Sequence, residues 1–247
     1  MIIKYKNDTI LEIYKKYLNS LNVEYNLNES NGLVINNTLK IDSVKPLQYS
    51  TSNIVTEQII FFLQLLNQKN YSILYFNPCD FEIGITSSKN LNQKGGATIE
   101  RIEDKILDSR EYEENYNLEK TEIIPFIIFK NTKLIIETNE TDGVYLILYN
   151  DIDYFKKQLI MGNDFYSFYK KYTNTILLKI NNKQYENIYF KESYESLAFF
   201  LLYLIVNKNT TLLNEHQIKN MFLNTPLYFC IERLMVKDSA SRFLFLL

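Results

Sequence analysis

The chain has 247 residues, of which 46% are hydrophobic and 15% aromatic, so it can fill a sizeable core and is too apolar to be disordered throughout. Its 27 basic and 29 acidic residues leave a net charge of -2, which provides no global field to attract nucleic acid or an anionic membrane. The two cysteines, Cys79 and Cys230, are too few for a disulfide-built secreted module, and we predict that both are reduced and buried.

The sequence contains no export or membrane signal that we recognise. Its first residues, Met-Ile-Ile-Lys-Tyr-Lys-Asn, lack the apolar region and small-residue cleavage site of a signal peptide. The longest apolar runs, residues 59–66 and 197–206, fall short of the roughly 20 residues that span a bilayer. We therefore predict a cytoplasmic protein without a membrane span.

Two helices are predicted in the first part of the chain. Apolar side chains recur on one face over residues 9–21, with Asp8 or Thr9 as the N-cap. A second helix is predicted over residues 54–67, capped by residues 51–53. Because it is apolar almost all round, we expect it to lie at the centre of the core.

Short apolar runs in the same part predict strands. Gly32 opens the run 33–35, which turns at Asn36-Asn37 into the run 39–41, and this pattern indicates a hairpin or two edge strands. A buried strand is predicted at residues 73–76. Residues 1–88 are therefore expected to form an N-terminal α+β region.

The segment 89–97 is the least apolar stretch and contains two of the six glycines, Gly95 and Gly96. Such a composition is typical of a loop or a domain boundary. It would separate residues 1–88 from a C-terminal α+β region over residues 98–247, although a single domain remains an alternative. Behind it, an amphipathic helix is predicted to begin near Ile99.

Three strands in a meander are predicted over residues 122–150, and helices and strands follow to the end of the chain. The predicted strands of the meander are residues 123–129, 134–136 and 143–149. The later elements are a helix capped by Asn163 or Asp164, strands at 176–180 and 185–190, a Ser193-capped helix at 194–206, and tail helices at 212–222 and 227–236. The fold class is α+β, with an antiparallel sheet of meander strands packed against several apolar helices and a helical C-terminal tail.

No familiar catalytic or cofactor motif is found. The single histidine, His216, has no second histidine or nearby cysteine with which to share a metal. There is no Gly-x-Ser-x-Gly elbow, and Lys94-Gly95-Gly96 lacks the glycine spacing and the following Lys-Ser or Lys-Thr of a phosphate loop. We therefore predict no cofactor and no metal site, and an enzymatic role is the less favoured interpretation.

One enzymatic alternative stays open, a metal-dependent nuclease of the PD-(D/E)xK type. Asp80 follows a predicted strand, and Glu103 and Lys105 form an E-x-K further along the chain. Two acids would hold the metal and the lysine would activate water. However, the E-x-K lies in a helical pattern. Asp80 and Glu82 could also form a carboxylate pair on one face of a strand, but they are more simply interpreted as solvated residues of an edge strand.

The second half of the chain resembles the SUKH superfamily of immunity proteins, which neutralise bacterial toxins. The resemblance lies in Ile124-Pro125-Phe126, in Asp142-Gly143-Val144-Tyr145, and in residues 189–197 with the apolar helix that follows. It covers roughly residues 122–206. It implies a non-catalytic protein that binds a toxin and occludes its active site.

For such a partner the sequence offers one acidic patch interleaved with tyrosines. Its members are Glu111, Tyr112, Glu113, Glu114 and Tyr116. Acids and aromatic rings together could face the basic cleft of a toxin. A structural or regulatory domain, bound to a larger host complex, is the remaining alternative.

Overall fold

Helices and strands are mixed along the chain in the computed structural model, which describes residues 1–28, 32–41, 46–87, 123–165, 175–184, 188–205, 220, 223 and 225–244. The helices are α1 (Asp8–Ser20), α2 (Tyr49–Asn67), α3 (Ile152–Phe165), α4 (Thr175–Asn181), α5 (Tyr194–Ile205) and α6 (Pro226–Leu234). The strands are β1 (Ile2–Ile3), β2 (Asn26–Leu27), β3 (Leu33–Val34), β4 (Thr38–Lys40), β5 (Tyr71–Ile73), β6 (Phe81–Ser87), β7 (Ile123–Phe129) and β8 (Ile135–Glu137). The predicted α+β class is confirmed.

Helix α1 begins where the side chain of Asn7 accepts a hydrogen bond from the backbone N–H of Ile10 at 2.9 Å. The N-cap therefore lies one residue before the predicted Asp8, and the negative charge of Asp8 in the first turn suits the helix dipole. The apolar face is buried as the sequence predicted, and its buried members are Ile10, Leu11, Ile13, Tyr14, Tyr17 and Leu18.

Helix α2 lies at the centre of the molecule, as its apolar composition predicted. It packs against α1, α5, β5 and β7. It begins at Tyr49, earlier than expected, because residues 51–53 belong to its first turns and do not cap it. Gln48 stands at the N-cap position without a capping side-chain hydrogen bond.

The strands form three small antiparallel sheets, in the orders β1-β3-β2, β4-β6-β7 and β5-β8. The longest ladder joins β6 and β7, from Phe81 opposite Phe129 to Ser87 opposite Ile123. The predicted hairpin over residues 33–41 is wrong, because β3 and β4 belong to different sheets. Asn37, with a φ of 58°, lies between them in a left-handed conformation that asparagine tolerates.

The predicted meander is also wrong in its pairing. Strand β7 pairs with β6, and β8 pairs with β5. Residues 143–149 contribute only isolated bridges, which join Val144 to Tyr189 and Thr138 to Tyr145. The physical reason lies at the outer edge of β7. There the hydroxyl groups of Tyr14 and Tyr17 donate to backbone carbonyl oxygens that would otherwise bond a neighbouring strand.

Two further predictions in the second half are wrong. Residues 176–180, predicted as a strand, belong to helix α4, in which Ile176 and Ile180 are buried four positions apart on one face. Asn163 and Asp164, predicted as N-caps, lie within α3. The run 176–180 is five residues long, which is too short for its apolar periodicity to distinguish a strand from a helix.

The helices at the C-terminal end agree better with the sequence. Helix α5 begins at Tyr194 as expected, although Ser193 donates to the carbonyl oxygen of Phe190 and does not cap it. Helix α6 begins at Pro226, behind a Thr225 cap, close to the predicted bounds 227–236. The tail helix predicted at 212–222 lies almost wholly outside the described residues, as do the loop 89–97 and the helix near Ile99.

The buried side chains of the described residues form one hydrophobic cluster, to which elements from both sides of residues 88–122 contribute. The division into regions 1–88 and 98–247 remains a prediction. Among the described helices, none combines the length and the apolarity needed to cross a membrane.

Candidate functional site

Asp80, the first acid of the nuclease hypothesis, ends a 3₁₀ helix, Pro78–Asp80, that leads into β6. Its backbone is fixed from two sides, since its N–H donates to the carbonyl oxygen of Asn77 at 2.9 Å and its own carbonyl oxygen accepts from Lys130 N–H at 2.8 Å. The residue is only 6% exposed. The expectation that Asp80 is a solvated edge residue is therefore wrong.

The Asp80 side chain belongs to a chain of part-buried hydrogen bonds. Its Oδ1 accepts from Asn131 Nδ2 at 2.9 Å, and Asn131 Oδ1 accepts from the Tyr154 hydroxyl group at 2.9 Å. Asp80 Oδ2 is buried without a hydrogen-bond partner among the described residues. We call Asp80, Asn131 and Tyr154 the Asp80 hub.

Burial raises the pKa of Asp80 to about 6, although the Asn131 hydrogen bond and the charge of Lys130 both lower it. The Lys130 ammonium group does not contribute a hydrogen bond to the hub, since it lies 3.3 Å from Glu82 Oε1. Glu82 Oε2 accepts from the Thr38 hydroxyl group. Glu82 is thus paired on the central strand of its sheet and is not a solvated edge residue.

The nuclease hypothesis stays a prediction, because Glu103 and Lys105 lie outside the described residues. Within the part of the chain that the structure describes, no group of three His, Cys, Asp or Glu side chains is placed to hold a metal ion.

Other residues that the sequence singled out are placed as follows. Cys79 and Cys230 are not joined in a disulfide. Cys230 is buried as predicted, and burial raises the pKa of its thiol to about 12. Cys79 is only half-buried. The acidic patch of Glu111, Tyr112, Glu113, Glu114 and Tyr116 lies outside the described residues, as does His216.

A surface that the sequence did not predict is formed by Leu146, Leu148 and Tyr149, which we call the apolar ridge. Their side chains are 50%, 69% and 79% exposed. Three large exposed apolar residues thus lie within four consecutive positions. Clustered exposure of this kind marks binding sites more often than isolated exposed leucines do.

The apolar ridge is fixed at its first end by Tyr145. The hydroxyl group of this buried tyrosine donates to the carbonyl oxygen of Ile73 at 2.8 Å, and its N–H donates to the carbonyl oxygen of Ile188 at 3.0 Å. Leu146 N–H then donates to the carbonyl oxygen of Glu137 at 2.9 Å. The exposed side chains therefore start from an anchored backbone.

The second end of the apolar ridge runs directly into α3. Asp151 N–H donates to the carbonyl oxygen of Leu148 at 3.0 Å. Ile152 and Phe155, in the first turn of α3, are 8% and 1% exposed and hold the helix on the core. A surface whose backbone is held at both ends loses little conformational entropy when it binds.

Acidic residues flank the apolar ridge on both sides in the sequence. Between Lys133 and Lys156 the chain carries five acids and no basic residue. These acids are Glu137, Glu140, Asp142, Asp151 and Asp153. An apolar centre with an acidic surround suits a partner surface with apolar side chains and a basic rim.

Sequence reasoning missed this surface because it assigned residues 143–149 to a strand inside the sheet. The alternation of apolar side chains does persist, since Tyr145 is buried and Ile147 is half-buried while Leu146 and Leu148 point outwards. A usable signal was the presence of five acids and no basic residue between Lys133 and Lys156, which is typical of an exposed region.

Comparison with known proteins yields no match to the chain among family models, curated proteins or solved structures.

Proposed function

We propose that the chain is a non-catalytic, cytoplasmic protein-binding module whose apolar ridge docks on a basic protein partner. The observation that carries the proposal is the exposure of Leu146, Leu148 and Tyr149 on a backbone that is anchored at both ends.

The chemistry of the apolar ridge suits protein recognition. Burying a large apolar side chain fully contributes about 1.5 to 3 kcal/mol, so Leu148 and Tyr149 are the strongest candidates for anchoring residues. The flanking acids add long-range attraction for a positively charged partner, which speeds association more than it strengthens the final complex.

The resemblance to the SUKH superfamily gives the partner a class, a toxin that the chain neutralises by covering its active site. The string Asp142-Gly143-Val144-Tyr145, on which part of that resemblance rests, leads directly into the apolar ridge. A toxin that acts on nucleic acid has a basic active-site cleft, because it must bind phosphates. The acidic surround of the apolar ridge fits that charge.

The test is co-expression with the product of a toxin-like reading frame next to the gene, followed by measurement of cell survival and co-purification. Wild type is expected to restore growth and to co-purify with the toxin. A Leu148→Ser, Tyr149→Ser double variant is expected to weaken binding at least about a hundredfold, the effect of losing two anchoring side chains.

The matched control is Phe229→Ser, which removes a 51% exposed ring from helix α6 and should leave both readouts unchanged. Equal losses in the control and the double variant would point to general surface damage. A wild-type chain that purifies alone and gives no protection contradicts the proposal, and recovery within a large host assembly supports a regulatory role instead.

A further inference from the structure

The Asp80 hub joins three parts of the fold that are distant in sequence. Asp80 belongs to the 3₁₀ helix before β6, Asn131 follows β7, and Tyr154 lies in the first turn of α3. The hydrogen bonds between them, both 2.9 Å, make the Asn131 amide the link between the carboxyl group and the helix. A change at Asp80 is therefore passed directly to α3.

The carboxyl group of Asp80 is poorly prepared to carry a negative charge. One oxygen accepts from Asn131, while the other is buried without a donor among the described residues. A buried, incompletely bonded carboxylate costs several times more than a neutral carboxyl group. Ionisation of Asp80 therefore favours any movement that admits water to Oδ2.

The titratable and charged groups around Asp80 do not remove this cost. Cys79 precedes it in the same 3₁₀ helix, and Glu82 follows it on β6. Lys130, after β7, is bound to Glu82, and Tyr154 of α3 has its hydroxyl group directed at Asn131. Burial raises the pKa of Tyr154, so its phenol stays neutral and keeps the proton that it donates to Asn131. The Lys133 ammonium group lies over the Tyr154 ring, 5.1 Å from the ring centroid, and makes no hydrogen bond to the Asp80 hub.

The segments packed around Asp80 differ in how firmly they are held. The 3₁₀ helix and the residues after β7 are held by the seven-pair β6–β7 ladder and by the backbone bond from Lys130 to Asp80. The first turn of α3 is tied to the hub by the Tyr154 hydroxyl group, with apolar packing from Ile152 and Phe155. The first turn of α3 is therefore the segment that we expect to open first.

We propose that Asp80 is a proton-operated latch for the first turn of α3, which stays packed while the carboxyl group is protonated and loosens when it ionises. The shift of the Asp80 pKa from 3.8 to about 6 gives the latch its working range near neutrality. Since Leu148 and Tyr149 directly precede α3, partner binding would weaken as the pH rises, and this last consequence alone rests on the proposed function.

The latch is tested by amide hydrogen exchange of the chain alone, on peptides covering residues 149–156, at pH 5.0 and pH 7.5. After correction for the intrinsic exchange rate, opening of this segment in wild type is expected to increase about tenfold, the linkage expected for a group with these two pKa values. Asp80→Asn should abolish the increase. Glu82→Gln, which neutralises the neighbouring paired carboxylate, should retain it.

Equal corrected exchange at both pH values in wild type would overturn the latch, as would an Asp80→Asn chain that keeps the tenfold increase. If Asp80→Asn does not fold, Tyr154→Phe replaces it. Loss of the hydroxyl group should raise exchange of the segment at both pH values, and unchanged protection in that variant also overturns the proposal. No partner is present, so the outcome is independent of the proposed function.

Discussion

The hydroxyl group of Tyr17 donates a hydrogen bond of 2.6 Å to the carbonyl oxygen of Ile127, on the outer edge of β7. One helical turn earlier, Tyr14 bonds the carbonyl oxygen of Phe129 at 2.5 Å. The side-chain amide of Gln58 bonds the same edge: its Nε2 donates to the Pro125 carbonyl oxygen, and its Oε1 accepts from the Ile127 N–H. Side chains thus take the place of a neighbouring strand and protect the edge from pairing with another chain.

Removing these hydroxyl groups should destabilise the protein although it creates almost no cavity. Each of Tyr14→Phe and Tyr17→Phe leaves a buried carbonyl group unpaired and is expected to lower the free energy of unfolding by about 1 to 3 kcal/mol. Urea denaturation measures the loss. Tyr228→Phe, whose hydroxyl group bonds Glu232 at the surface, is the control and should change stability by less than about 0.5 kcal/mol.

The double variant Tyr14→Phe, Tyr17→Phe tests whether the edge matters for solubility. With both buried carbonyl groups unpaired, movements that expose the edge of β7 become easier, so light scattering on mild heating should rise earlier than for wild type. A double variant as stable and as soluble as wild type would show that the two hydroxyl groups do not seal the edge.

Asp80→Asn is expected to change stability in a pH-dependent way. The native pKa of about 6 exceeds the reference value of 3.8, so the folded state holds its proton more tightly and wild type loses stability as the pH rises from about 4 to about 6. The neutral variant avoids this loss. It should be more stable than wild type at pH 8 by about 1 to 3 kcal/mol, and the difference should shrink towards pH 4.

Denaturant unfolding at several pH values provides this measurement, with Glu82→Gln as the matched control. A stability difference between wild type and Asp80→Asn that is constant from pH 4 to pH 8 would show that Asp80 does not titrate in this range.

Arg242 should be essential for holding the segment after α6. Its buried guanidinium group donates to the carbonyl oxygens of Val236 and Glu192, at 2.9 and 3.0 Å, and to Glu195 Oε2 at 3.1 Å. Arg242→Ala leaves the half-buried Glu195 without its partner and is expected to cost about 3 to 5 kcal/mol. Lys16→Ala is a suitable control, because Lys16 is exposed on helix α1 and distant in sequence from this segment.

Limited proteolysis reports the same loss locally. In Arg242→Ala, cleavage after Lys237 should become much faster than in wild type, whereas Arg242→Lys should show an intermediate rate because lysine cannot reproduce the forked hydrogen bonds. Wild-type cleavage rates in both variants would contradict the assignment.

Gly143 is predicted to be intolerant of any side chain. Its φ is +67°, and an added Cβ would lie 2.7 Å from the Tyr189 ring and 2.8 Å from the Phe190 ring. Gly143→Ala should therefore cost at least about 2 kcal/mol in thermal or urea unfolding, from backbone strain and steric overlap together. Asn37→Gly, at a positive φ without this overlap, is the contrasting substitution and should be close to neutral.

Elements whose apolar pattern extends over several turns were predicted correctly from the sequence. The stripe of α1 spans three turns, and α2 is apolar over most of its length, so both helices were placed correctly apart from their first turns. The α4 segment failed because five residues with two buried isoleucines fit either period. Strand pairing failed because it depends on residues far away, such as Tyr17, which lies 110 positions from Ile127.

The candidate site was less accessible than the fold. The sequence indicated Asp80 only as a possible metal ligand. Its hydrogen-bonded neighbours, Asn131 and Tyr154, lie far away in the sequence, and no local pattern connects them to Asp80. The apolar ridge was assigned to a covered strand, since the sequence does not indicate that Leu146 and Leu148 are exposed. Burial of a side chain is decided by its neighbours in space.

Ser87 and Ile123 face each other in the last pair of the β6–β7 ladder, so the chain leaves the sheet and re-enters it at a single point. The other pairs of the ladder already set its register, so the connection between Ser87 and Ile123 can be replaced by a shorter one. A two-residue turn of the Asn-Gly type in place of residues 88–122 should close the hairpin, and a shorter connection lowers the entropy cost of closure. The shortened protein would separate what Glu111 to Tyr116 contribute to binding from what the scaffold contributes by itself.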